Sequence, residues 1–108
     1  MALTREQFLT ACDIRSEVVA VPEMGEGATV IVRGVSARDW MKLREAVKAD
    51  PDHAYVHYLV ATVVDDQGKP LFTPADAEAL ADKSIAVIDR LSAAAQRVNE
   101  GGGTASKN

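Results

Sequence analysis

Val64 to Leu91 reads VDDQGKPLFTPADAEALADKSIAVIDRL, and this stretch decides the fold. Asp65-Asp66-Gln67-Gly68 is a tight-turn signal, because glycine accepts positive φ and an aspartate can bond its own backbone. Leu71-Phe72 then runs into Thr73-Pro74-Ala75-Asp76, a helix start. Thr73 offers a cap, Pro74 fits the first helical position, and Asp76 sits where the helix dipole favours an anion. Phe72 precedes the cap and can staple onto Ala77. Ser84 restarts a second helix after Lys83, and Ile85, Ile88, Leu91, Ala95 and Val98 stripe it.

Upstream of this stretch, His53 to Val64 is apolar nearly all round. About twelve such residues are long for a strand, so they read as the central, most buried helix. Asp50-Pro51-Asp52 separates it from a helix capped by Ser36, in which Trp40, Leu43 and Val47 recur as a core stripe. Glu17–Pro22 and Ala28–Gly34 are rich in Val and Ile and flank Glu23-Met24-Gly25-Glu26-Gly27, which reads as two strands and a flexible loop. Ala28, Val30 and Val32 share one face of the second strand. A lone hairpin is marginal in water, so this one must lie on helices or join more strands. Thr4-Arg5-Glu6-Gln7 is a capping box opening a short first helix with Phe8 and Leu9 on its apolar side. The expected architecture is α+β: a small, mostly helical domain over residues 1–100 with one N-terminal β-hairpin and about five helices. Residues 101–108 are a Gly-rich tail expected to be disordered.

At 108 residues the chain is one domain, and its 47% apolar content can build a core. Only 5% is aromatic, so that core is mostly Val, Leu and Ala. The net charge of −4 disfavours nonspecific attraction to nucleic acid or anionic lipid, so neither is an expected partner. The longest apolar run, Tyr58 to Val64, is too short to span a bilayer, and the expected location is the cytoplasm. Cys12 stands alone, which excludes an internal disulfide, and reads as a small buried hydrophobe.

Few residues carry reactive chemistry. His53 and His57 lie one helical turn apart, the spacing of a two-histidine metal pair, but Ala54 stands where a zincin has its glutamate. A third ligand would have to come from Asp50, Asp52 or a distant residue, and a small metal-dependent enzyme on this pair is an alternative reading. Lys-Pro-Leu-Phe after Gly68 is incompatible with a calcium loop. Gly25 and Gly27 lack the Gly-Lys-Ser/Thr of a phosphate loop. No catalytic set, bound metal or cofactor is expected. So much local shape with so little chemistry points to recognition by another protein. Met24, in a loop that does not oblige it to be buried, is the one residue singled out as a partner contact.

Several of these segments, in order, resemble the tail assembly chaperones of long-tailed bacteriophages. The features are the hairpin-like DIRSEVVAVPEMGEGATVIVRG from Asp13 to Gly34 and the helix opening at Ser36-Ala37-Arg38-Asp39. With them go the apolar helix ending in the turn Asp65 to Phe72, and the last helix from Lys83-Ser84. The resemblance covers Asp13 to Asn99. It implies a protein that binds and solubilises the long tape-measure protein, helps recruit tail-tube subunits and associates with copies of itself. It also implies a longer form made by ribosomal slippage, for which Ser106-Lys107-Asn108 is compatible with an A-AAA-AAC run. The alternative within virion morphogenesis is a structural minor tail subunit retained in the particle.

Overall fold

The computed structural model describes residues 1–100; the expected tail over 101–108 and the Ser106-Lys107-Asn108 run lie outside them. Five helices and three strands follow in the order α1 (Arg5–Thr10), β1 (Ser16–Ala20), β2 (Thr29–Arg33), α2 (Ala37–Ala49), α3 (Ala54–Thr62), β3 (Val63–Val64), α4 (Ala77–Ala81) and α5 (Ile85–Asn99). Short 3₁₀ turns at Pro22–Met24, Pro51–His53 and Pro74–Asp76 punctuate them. This is the small α+β architecture expected from the sequence.

The sheet is antiparallel in the order β1-β2-β3. Val19 opposes Val30 and Glu17 opposes Val32 across the hairpin. Side chains alternate across a strand, so Val19, Val21, Val30 and Val32 turn to one face while Val18 and Ile31 turn to the other. The first face is the core: Val19, Val21 and Val32 are buried there against Val87, Ile88, Leu91, Ala94, Ala95 and Val98 of α5. Ile85, expected on the same stripe, is exposed instead. At roughly 100° per residue it lies about 120° round α5 from the centre of the buried arc.

As expected, α3 is the central helix, with Val56, Leu59 and Thr62 fully enclosed. It is shorter than its apolar run. Val63 and Val64 leave it to pair with Val32 and Ile31 of β2. Both are β-branched, and a half-formed sheet edge beside them takes up backbone groups that the helix would otherwise use. The hairpin is thus joined by a third strand on one edge and packed against α5 on one face.

The turn read at Asp65 forms. Its carboxylate accepts from the amides of Gln67 (2.8 Å) and Lys69 (2.9 Å), and Gly68 has φ +81°. Beyond it, Phe72 packs against the core cluster and the Asp76 carboxylate reaches back to the Thr73 amide at 2.8 Å. Thr4, Ser36 and Ser84 each cap a helix, accepting from the amides of Gln7, Asp39 and Ala86.

Besides Ile85, three further buried-residue expectations fail. Phe8 and Leu9 are not covered by any of the described residues, and every residue of α1 is exposed. Cys12, just beyond that helix, is exposed for the same reason. Trp40 keeps 45% of its surface in solvent, because no side chain among the described residues fills the space over it between α2 and α3.

Candidate partner-binding surfaces

Among the described residues, two apolar surfaces remain uncovered besides the bare first helix. One is a groove of about 490 Å³ between α2 and α3, floored by Leu43, Val47 and Ala54 and walled by Trp40, Tyr55 and Tyr58. Arg44 and Lys48 stand at its rim. The stripe on α2 is real, since Leu43 is buried, but α2 uses only part of it against α3. The other is the outer face of the sheet, where exposed Val18 lies beside Ile31, Val64 and Leu71, with Asp65 and Asp66 at the margin.

Met24 lies at the tip of the same hairpin and is exposed. Its loop is crossed by backbone hydrogen bonds. The Met24 amide donates to the Val21 carbonyl at 2.9 Å, Gly25 to Pro22 at 3.0 Å, and Val21 to Ala28 at 2.8 Å. Gly25 and Gly27, at φ +142° and +76°, permit that path. Glu23 then receives both guanidinium nitrogens of Arg90, at 2.6 and 2.8 Å. Arg90, with the loop's own amide second, holds the Glu23 carboxyl down at about 2. A second α5 arginine, Arg97, grips Glu17 of β1 in the same way, at 2.6 and 3.0 Å, and lowers its pKa. Met24 is therefore presented on a pinned tip, but it is not part of the α2–α3 groove.

The histidine pair is brought together by Asp50, the residue that ends α2. One of its oxygens lies 3.1 Å from both His53 Nδ1 and His57 Nε2. Hydrogen bonding to His53 first and His57 second lowers the Asp50 pKa, and Asp50 in turn raises that of His53. Among the described residues no group of three or more His, Cys, Asp or Glu side chains is placed to hold a metal ion. The carboxylate occupies the histidine nitrogens as a hydrogen-bond partner and ties the end of α2 to the start of α3.

A solved structure, the tail assembly chaperone of bacteriophage HK97, is similar to this chain with a TM-score of 0.62 and 27% identity, over 86% of this chain and 90% of that one. The likeness supports a tail assembly chaperone family. It supports a tail assembly chaperone role in the same measure, and with it phage tail proteins in general as partners. No protein-family model matches the chain, and no curated protein does. Among the described residues no helix is long and apolar enough to cross a membrane. The neighbour's role is that of a chaperone.

Sequence reasoning missed the groove because it assigned Trp40 to the core. It also missed the bare first helix. One available signal was length: six residues between a capping box and an extended segment cannot make a helix with a core of its own.

Proposed function

We propose that this protein binds the tape-measure protein of a long-tailed phage or prophage, keeps that elongated partner soluble and hands it over to tail-tube subunits. The observation that carries the reading is the likeness to the HK97 chaperone across nine-tenths of that chain's length. The outer face of the hairpin, with Val18 at its centre and Met24 at its tip, is the surface we assign to the tape-measure protein. An apolar helix laid on Val18, Ile31 and Leu71 would cover area now in water, and the thioether of Met24 adapts to a varying sequence. Each contact is small and weak. Many copies along one long partner supply the avidity, and weak single contacts allow tail-tube subunits to displace them. The work is done in the host cytoplasm, by copies that also associate with one another, and involves no bond-making.

Co-expression with a tape-measure fragment tests this. The fragment should become soluble and co-purify, and Val18→Asp with Met24→Asp should abolish both effects while leaving the circular dichroism spectrum unchanged. A fragment that stays insoluble and alone would overturn the reading.

A further inference from the structure

The sheet face and the α2–α3 groove carry opposite charge. Among the described residues, the side chains that border the outer face of the sheet are acidic, Asp65 and Asp66, and no basic side chain lines it. The groove is the reverse: Arg44 and Lys48 stand at its rim, and no acidic side chain among the described residues lines it. That basic rim belongs to a chain whose net charge is −4. A helical row produces it. Trp40, Arg44 and Lys48 follow one another at four-residue spacing on α2, so they stack along one side of the helix. Both cations are exposed, and among the described residues neither belongs to an ion pair.

Hydrogen-bonding chemistry points the same way. The Trp40 indole, the Arg44 guanidinium and the Lys48 ammonium donate and cannot accept. Between them the floor around Leu43 is apolar. A fitting ligand therefore brings an apolar body for the floor and acceptors for the rim, and carboxylates are the acceptors that cations bind most strongly. An open cleft of about 490 Å³ between two helices admits large side chains from one face of a third helix. Trp, Tyr and Arg are also the residue types on which interface energy concentrates.

We infer that the α2–α3 groove binds an acidic amphipathic helix of a partner protein, with its apolar side chains seated against Trp40 and Tyr55 and its carboxylates on Arg44 and Lys48. The aspartates beside the sheet face repel such a helix, so the molecule can hold two chemically different partners at once. This goes beyond the tape-measure reading, which uses only the sheet face, and does not rest on it.

Two synthetic amphipathic peptides test the inference. They share a stripe of Leu and Phe and contain no tryptophan; one flanks the stripe with Glu, the other with Lys. Trp40 is the only tryptophan of the chain, so its emission reports on the groove directly. The Glu peptide should shift that emission to the blue, saturably, and should bind at least about tenfold more tightly than the Lys peptide. General attraction to a chain of charge −4 gives the opposite order, so this preference isolates the local rim. Arg44→Glu/Lys48→Glu should invert the preference. Arg44→Gln/Lys48→Gln, a milder pair at the same exposed positions, should erase it and carries the test should the first pair fail to fold by circular dichroism. Val18→Asp, on the sheet face, should change neither affinity. Emission unmoved by either peptide, equal or reversed affinities, or rim variants that bind like the unmodified protein would each overturn the inference. A blue shift that grows with protein concentration in the absence of peptide would do the same, since the groove would then be filled by another copy. Loss of Glu-peptide binding in Val18→Asp would place the peptide on the sheet face and also overturn it. None of these measurements uses a tape-measure fragment, so this inference and the preceding reading fail separately.

Discussion

Leu59 has no exposed surface and belongs to the cluster where α3, α5 and the sheet meet. Truncation to Ala leaves a cavity that the surrounding strands cannot close, and should cost about 2–5 kcal/mol, read as a lower urea midpoint with unchanged slope. Phe8 is larger and sits in a capped helix, yet Phe8→Ser should change the unfolding free energy of the monomer by no more than about 0.5 kcal/mol, because it touches nothing buried. The contrast between the two variants measures how far bare α1 is from the core. Titration is also a residue property here. Glu23 and Glu17 have pKa values depressed by Arg90 and Arg97, so they contribute stability above about pH 4.5. That contribution disappears as pH falls through the folded values, which for Glu23 means towards about 2. Glu23→Gln should flatten the stability profile in that window. His53 has the opposite sign: its pKa is raised above 6.5 by Asp50, so its contribution is present below 6.5 and lost as pH rises through the folded value. An NMR titration should place His53 above 6.5, and Asp50→Asn should bring it back down, with the smaller influences of Glu78 and Asp52 remaining.

Between elements, the C-terminal end of α5 is the fastening point. Asn99 Oδ1 accepts from the Val35 amide at 2.9 Å, and the Arg15 guanidinium donates to the Arg97 carbonyl. Gly34 lies in between, donating to the Arg15 carbonyl at 2.8 Å. A Cβ at position 34 would come within 3.1 Å of Asn99 Oδ1 and 3.2 Å of the Val98 carbonyl oxygen. The second of these is backbone and cannot swing away, so Gly34→Ala should destabilise by about 1–3 kcal/mol, checked by thermal unfolding. It should also loosen the hairpin from α5, seen as faster hydrogen exchange at Val32 and Val98. At position 68 the cause differs. Gly68 is left-handed at φ +81° and closes the turn that sends Leu71 back along β3.

For the molecule as a whole, packed and open apolar faces lie on different sides of the sheet. One face of the sheet is sealed by α5, while the opposite face and the α2–α3 groove remain open. Each open surface shares residues with the packed interior, Leu43 and Tyr58 in the groove and Val64 on the sheet. The histidine pair has a structural role in the folded body. Asp50, His53 and His57 fasten one helix to the next, and micromolar zinc should produce no binding heat in calorimetry.

The caps at Thr4 and Ser36, the turn at Asp65 and the restart at Ser84 were legible from the chain alone, because each depends on residues within four positions of one another. The burial of Val32 and of most of the α5 stripe was legible too, since periodicity records which face is apolar. Periodicity does not record whether anything covers that face. Phe8 lies on a face that no other element of the described chain covers, and α3 covers only part of the face that carries Trp40, so their exposure is a fact of packing. Likewise Val63 and Val64 carry the same apolar character as the helix before them, and only the open edge of β2 made them a strand. Local hydrogen bonding and side-chain volume are written residue by residue. Contacts between distant segments depend on where the whole chain comes to rest, and that is where the two open surfaces of this protein arise.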